Sequence, residues 1–238
     1  RYLTRQVLQT TRGCPYDCPF CTVTPYFGRR YRRRPTEDVL AEVAGLPGRL
    51  VIFLDDDTLS DPVRVRPLLE GLAGTGKRWA GPSTLHFAED REFLRLVRDS
   101  GCLGLFVGVE SATEGGASEL PKHRRVSNRG DAVKRIQDQG ILVEGSFVFG
   151  LDGDDEGVFE RTVRFVEETG LCNATFHLLT PYPGTALARQ FEAEGRLLHK
   201  DWARYDHNTV VYRPKGMTAE KLYRGWVEAR QEIHSLGS

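Results

Sequence analysis

The sequence predicts an α/β fold: six parallel strands joined by crossover helices in an open, partial (β/α)6 TIM-like barrel, with a short C-terminal helical extension. Three observations predict it. Short apolar runs rich in β-branched and aromatic residues alternate with amphipathic stretches along the 238 residues. Strand–helix alternation of this kind implies parallel pairing through crossover connections. The runs number about six, short of the eight that close a barrel, and the pattern gives way to turn residues after Thr180.

The elements follow in order. "VLQTT" from Val7 is the first strand, and a helical pattern begins near Thr36. "LVIFL" from Leu50 is the second strand; Asp61-Pro62 then opens a helix with Val65, Leu68, Leu69 and Leu72 at helical spacing. "WAGPS" from Trp79 is the third. Asp90 caps the next helix, with Phe93, Leu96 and Val97 on one face and Gly101 just past its end. "LFVGV" from Leu105, "ILVEGSFVF" from Ile141 and "ATFHLL" from Ala174 complete the set, with helices from about Gly130 and Asp155 between them. A turn-rich "TPYPGT" and a last helix after Met217 follow, with Leu222, Trp226, Ala229 and Ile233 on one face. The expected division is a barrel core over 1–180 and an extension over 181–238 that packs on it within the same domain.

Composition narrows the function classes. Apolar residues at 39% can fill a sizeable core, and 33 basic against 33 acidic residues give no global charge for nucleic acid or an anionic membrane. No apolar run approaches the ~20 residues of a membrane span, and no secretory signal opens the chain. The first residue is Arg1, so the chain is expected to be a piece of something longer. Five cysteines, an odd count with three inside eight residues, argue for thiolate chemistry in a reducing compartment, here expected to be the cytoplasm.

Those three, Cys14, Cys18 and Cys21, follow the first strand directly, at the end where such barrels place their chemistry. A four-iron cluster normally takes four thiolates. Three leave one iron without a protein ligand, and an open position is what a catalytic metal keeps. The fourth ligand is therefore expected to be substrate or cosubstrate. A zinc site would want a fourth Cys or His nearby, whereas Cys102 and Cys172 lie far along the chain at helix-to-strand joins, where a small buried thiol is common.

Alternation sorts the strand faces. Val107 and Val109 are expected to face the helices, which turns Gly108 and Glu110 into the lumen; Val143, Phe147 and Phe149 likewise leave Glu144 and Ser146 inward. Asp55, Asp56 and Asp57 end the second strand, either as a helix-capping loop or as carboxylates for a cationic ligand. His177 shares a face with Thr175, as a barrel histidine or a substrate contact; His86 and the His123–Arg125 group are weaker candidates. "RRYRRRP" from Arg29 is read as a solvated, ion-paired loop rather than a nucleic-acid surface.

Cys14-x-x-x-Cys18-x-x-Cys21, with Phe20 before the last cysteine, resembles the radical S-adenosylmethionine (radical SAM) superfamily, and the resemblance covers nearly the whole chain. It implies a 4Fe-4S cluster whose unique iron is chelated by S-adenosylmethionine. One electron then yields methionine and a 5′-deoxyadenosyl radical that removes a hydrogen atom from an unreactive C–H bond. The resemblance also implies that Asp55, Asp56 and Asp57 stand near the amino end of the cosubstrate, that Glu110 and Ser111 of "GVES" meet its ribose, and that "GSFVFG", with Ser146 and Gly150, lies near the adenine. "FLDDDTLSDP", "LLTPYPGT" and "VVYRPKGMT" further resemble the cobalamin-associated branch. That branch implies an N-terminal cobalamin-binding domain before this region, C-methylation of an unactivated carbon in a small-molecule substrate, and a one-electron donor such as flavodoxin or ferredoxin. The segment "SATEGGASELPKHRRVSN" lacks the branch's familiar Asn-Lys pair, and "STLHFAED" has His86 where an acid is common. The competing readings are radical SAM chemistry without cobalamin and a non-catalytic iron–sulfur electron-transfer module.

Overall fold

A computed structural model describes residues 6–113, 120–123 and 126–235. Residues 114–119 and 124–125 of the segment that lacks the Asn-Lys pair, Arg125 among them, lie outside the described residues. Six strands form one parallel sheet: β1 (Val7–Leu8), β4 (Leu50–Phe53), β5 (Arg78–Ser83), β6 (Cys102–Glu110), β7 (Leu142–Phe149) and β8 (Asn173–Leu178), neighbours in that order. β1 and β8 are its two edges, so the barrel is partial and open, as the run count implied. Two further strands, β2 (Thr11–Arg12) and β3 (Arg32–Arg33), pair antiparallel in a small hairpin that no alternation announced.

Parallel register stacks the inward side chains in layers. Ile52, Ala80, Gly104 and Leu142 sit side by side at the floor of the lumen. Pro82, Phe106 and Glu144 form the layer above, and Gly108, Ser146 and Thr175 the layer above that. The register then slips: Gly108 faces Ser146, but Glu110 faces Phe147. Such a bulge bends a strand and re-aims its last side chain.

The outward faces carry the core. Leu105, Val107, Val109, Val143, Phe147 and Phe149 are buried, and each such side chain contributes about 1.5–3 kcal/mol relative to exposure. Phe176 joins Phe147 and Phe149 with ring centroids 5.6 and 5.4 Å apart. The helices that cover this face are α2 (Thr36–Gly45), α3 (Pro62–Ala73), α4 (Arg91–Asp99), α5 (Arg129–Gln137) and α6 (Val158–Thr169); a short α1 (Val23–Phe27) precedes them. Asp61 accepts from Arg64 N at the start of α3, and Asp90 from Glu92 N and Phe93 N at the start of α4. Gly101 has φ +92°, and a Cβ there would stand 2.4 Å from the Lys77 carbonyl oxygen, so the helix-to-strand turn needs glycine.

Three expectations need correction. In α4 the buried stripe runs through Phe93, Leu94 and Val97, which leaves Leu96 on its flank and only partly buried. Cys172 is exposed, beside β8 at the sheet edge, where no further strand covers it. The extension holds more than a turn and one helix: α7 (Ala186–Ala193), capped by Thr185, precedes α8 (Ala219–Ser235). It ties back to the sheet through Tyr212 Oη to the Gly150 carbonyl (2.5 Å), Trp226 Nε1 to the Phe176 carbonyl (2.8 Å) and Leu187 N to the Pro19 carbonyl (2.8 Å). Among the described residues no helix is long and apolar enough to cross a membrane.

Candidate cofactor site

The chain leaves β1 and is seized at once by the end of β4. Asp55 Oδ1 accepts from Thr10 N (2.7 Å) and Thr11 N (2.9 Å), while its Oδ2 accepts from Thr10 Oγ1 (2.5 Å). Asp56 Oδ2 accepts from Gly13 N (2.8 Å). Gly13 has φ +92°, and a Cβ would stand 2.5 Å from the Arg30 carbonyl oxygen, so glycine lets the loop pass under the hairpin. Cys14 follows, and Cys21 N donates to the Cys18 carbonyl (3.0 Å), which folds the loop back on itself.

Cys14, Cys18 and Cys21 line one cavity of about 190 Å³ together with Phe20, Asp56, Asp57, Gly108, Glu110, Lys122 and Ser146. Residues distant in sequence meet here because every strand ends at the same rim. Volume alone does not pick this site. Cavities of about 540 and 640 Å³ lie at the arginine hairpin and at the lumen floor, but only this one gathers thiols with a buried ion pair.

That pair joins Lys122 Nζ to Glu110 Oε1, with side chains only 12% and 9% exposed. Glu110 holds φ +61°, in the left-handed region that a β-branched or long residue adopts at a cost. The Glu110 carboxylate also lies against Gly108, where an added Cβ would come within 2.5 Å of both Glu110 Oε1 and Lys122 Nζ.

Burial dominates the electrostatics of the thiols. It pushes Cys14 up to about 12 and Cys18 up to about 11, and raises Cys21 as well. Asp57 is pushed up to about 7 by the same cause. Thr84 lies close enough to oppose that rise, yet among the described residues no hydrogen bond of ordinary geometry reaches the buried Asp57 Oδ2. His86, behind the lining residues Tyr16 and Thr84, forms hydrogen bonds at Nδ1 with Thr84 Oγ1 (2.7 Å) and Tyr16 Oη (3.2 Å).

Of the residues singled out from sequence, the structure brings Cys14, Cys18, Cys21, Phe20, Asp56, Asp57, Glu110 and Ser146 to the cavity. It does not bring Asp55, Ser111 or Gly150 to its wall. Both Asp55 oxygens are committed to Thr10 and Thr11; the buried Ser111 hydroxyl meets Thr113 Oγ1 (3.0 Å); Gly150 lies against Tyr212, whose hydroxyl would be 2.1 Å from an added Cβ. His177 stacks edge-on with His207 near the end of β8 and does not line the cavity. The arginine run is paired only in part, Arg29 with Asp17 and Arg34 with Glu42, and Arg32 and Arg33 line the hairpin cavity. Sequence reasoning missed Lys122; it turned Gly108 into the lumen and named His86 as a weaker candidate, but did not link Gly108 to an ion pair or His86 to Tyr16 and Thr84. Lys122 sits in "LPKH", with no periodic signal to mark it; only its place just downstream of Glu110 could have raised it.

Among the described residues no group of three or more His, Cys, Asp or Glu side chains converges closely enough to hold one metal ion. A zinc ion draws its ligands to about 2.0–2.3 Å of a single point. A cubane spreads its thiolates over separate irons, and three thiols lining one cavity suit that arrangement.

Comparison with known proteins agrees with this geometry. The family model described as the radical SAM superfamily matches residues 8–166. The chain is 32% identical over 231 residues to a bacteriochlorophyllide d C-12(1)-methyltransferase of Chlorobaculum tepidum, covering 94% of this chain and 50% of that protein. It is 30% identical over 206 residues to a hopanoid C-2 methylase of Rhodopseudomonas palustris, covering 82% and 39%. Among solved structures it resembles the radical S-adenosylmethionine methyltransferase TsrM from Kitasatospora setae, with cobalamin and a 4Fe-4S cluster bound, at TM-score 0.72 and 18% identity, covering 93% of this chain and 46% of that one. The cobalamin-dependent radical enzyme OxsB aligns at TM-score 0.70 and 14% identity, covering 96% and 41%. The chain thus spans about half the length, or less, of the relatives it matches.

Proposed function

The chain belongs to the radical SAM superfamily, and on that premise we propose that it holds a 4Fe-4S cluster on Cys14, Cys18 and Cys21, cleaves S-adenosylmethionine reductively, and serves C-methylation of an unactivated carbon with cobalamin. One observation carries the reading: three thiols, Cys18 buried and Cys14 and Cys21 half-buried, line a single cavity with Glu110, Asp57 and Ser146 at the C-terminal ends of the strands. When bound and reduced, the cluster supplies the electron that splits S-adenosylmethionine into methionine and a 5′-deoxyadenosyl radical.

The chain's own residues bind and orient. The buried thiols keep their protons until metal displaces them, since only thiolates ligate. Glu110 Oε1 accepts from Lys122 Nζ, and its Oε2 is the oxygen assigned to a ribose hydroxyl. Asp57 Oδ2, buried and unpartnered, is the acceptor assigned to the cosubstrate ammonium, whose charge would hold the carboxyl ionised. The Ser146 hydroxyl faces the same cavity. Asp55 acts indirectly, by fixing the root of the cysteine loop.

Methyl transfer is supported by the names of the relatives, and cobalamin by the bound state of the structural neighbours. Cobalamin is assigned to a domain outside the residues described here, and a low-potential flavodoxin or ferredoxin to the delivery of the electron. The test is anaerobic reconstitution followed by dithionite and S-adenosylmethionine. The chain should form 5′-deoxyadenosine, and a longer form carrying a cobalamin domain should form S-adenosylhomocysteine and 5′-deoxyadenosine in about equal amounts. Iron bound without any 5′-deoxyadenosine would leave the electron-transfer module as the better reading.

A further inference from the structure

Lys122 reaches both halves of the site. Its main chain hydrogen-bonds Cys18, and its ammonium lies close enough to Cys18, Glu110 and Asp57 to interact with all three. The other two thiols take their hydrogen bonds locally, Cys14 from Tyr16 and Cys21 from Val23. Only for Cys18, among these three, does the bond come from across the cavity. Lys122 and Cys18 line the same cavity, and the Lys122 ammonium pairs there with the Glu110 carboxylate.

Several costly features converge on this contact. Gly108 leaves the space in which Glu110 Oε1 and Lys122 Nζ meet. The bulge and the left-handed backbone of Glu110 aim the carboxylate at it. A short 3₁₀ turn, Pro121–His123, carries the lysine in. Backbone strain persists where the surroundings over-determine it, and here the surroundings are this ion pair.

We propose that Lys122 is a positioning residue that ties the cluster ligand Cys18 to the cosubstrate carboxylate Glu110 and biases the cluster toward its reduced state. The inference rests on the radical SAM reading and goes beyond it. Hydrogen bonds to cluster sulfurs and nearby charge set an iron–sulfur potential. One electron from dithionite enters the cluster, no bond breaks, and the added negative charge lies beside a buried ammonium.

The test compares Lys122→Met, which keeps the stem and removes the charge, with Lys122→Arg, which keeps a charge. Iron content, midpoint potential by spectroscopically monitored titration, and S-adenosylmethionine affinity are measured for each. Lys122→Met is expected to retain iron, to make reduction about tenfold less favourable, a shift of about 59 mV for one electron, and to weaken S-adenosylmethionine about tenfold. Lys122→Arg should recover most of the potential, and it decides the matter if the Met variant does not fold. An unchanged midpoint with weaker cosubstrate binding would reduce Lys122 to a simple cosubstrate contact and overturn the proposal; so would an Arg variant with a fully lowered potential. Wild-type protein that binds no cluster would instead sink the functional reading beneath it.

Discussion

Glu110 and Glu144 occupy the same lumen and had the same sequence warrant, yet they have different surroundings. Both face inward by alternation. Glu110 ends β6, is buried, holds a left-handed backbone and pairs with Lys122 beside Cys18. Glu144 lies lower, near the start of β7, half-buried one layer above the floor among Leu54, Pro82, Phe106 and Leu142, and none of the ion pairs among the described residues involves it. Periodicity assigns a face; height along the strand assigns the chemistry. At the rim, loops from every strand converge and can surround a charge. At the floor, only the strands' own side chains do.

The sharpest break of this contrast is at the cysteines. Cys14→Ala, Cys18→Ala and Cys21→Ala should each reduce bound iron from about four per chain to a small fraction, while Cys102→Ala and the floor-level Cys172→Ala keep it. Iron and sulfide assay checks this, and full iron in the Cys18 variant would remove the rim from the account.

Next in size is a pH effect confined to the rim. The Asp57 carboxyl rises from 3.8 to about 7 on folding. Between those values the native state holds a proton that the unfolded state has released, so stability falls as pH rises through the window. The full loss is on the order of 4 kcal/mol at most. Denaturant melts of the metal-free protein from pH 4 to 7.5 should show the slope, and Asp57→Asn should flatten it.

The two glutamates themselves form the third comparison. Glu110→Gln should weaken S-adenosylmethionine about tenfold or more, since a charge-assisted hydrogen bond contributes roughly 1.5–3 kcal/mol. Glu144→Gln should leave affinity alone and shift stability by less than about 0.5 kcal/mol. Calorimetric titration of the reconstituted proteins distinguishes them; equal losses would mean that height in the lumen does not matter.

A glycine pair on one strand gives the smallest and cleanest version. Gly108→Ala places a Cβ 2.5 Å from both partners of the ion pair, whereas Gly104→Ala meets Leu142 at an ordinary 3.4 Å. The first should cost about 1–3 kcal/mol through overpacking; the second should be near neutral. Paired thermal melts decide.

The same contrast explains what was legible. Strands show in the sequence because β-branched runs are local and periodic, and all six were found. Face followed from alternation, which placed Glu110 and Ser146 correctly in the lumen. The cysteine loop was visible through its spacing. The rest depends on contacts that span the chain. Asp55 reads like its two neighbours, but its oxygens meet Thr10 and Thr11, 45 and 44 residues away in sequence. Lys122 stands in an aperiodic loop, and its role arises only when that loop crosses the cavity to Cys18. Thr185 and the short helix it caps were hidden behind the stronger turn signal of "TPYPGT".

If these three thiols leave one iron for S-adenosylmethionine, the amino nitrogen of the cosubstrate binds that iron. Electron–nuclear double resonance of the reduced cluster, with cosubstrate labelled by nitrogen-15 at the amino group, should then show a hyperfine coupling from the bound nitrogen. A protein with a full cluster signal, saturated with cosubstrate and showing no such coupling, would contradict this assignment.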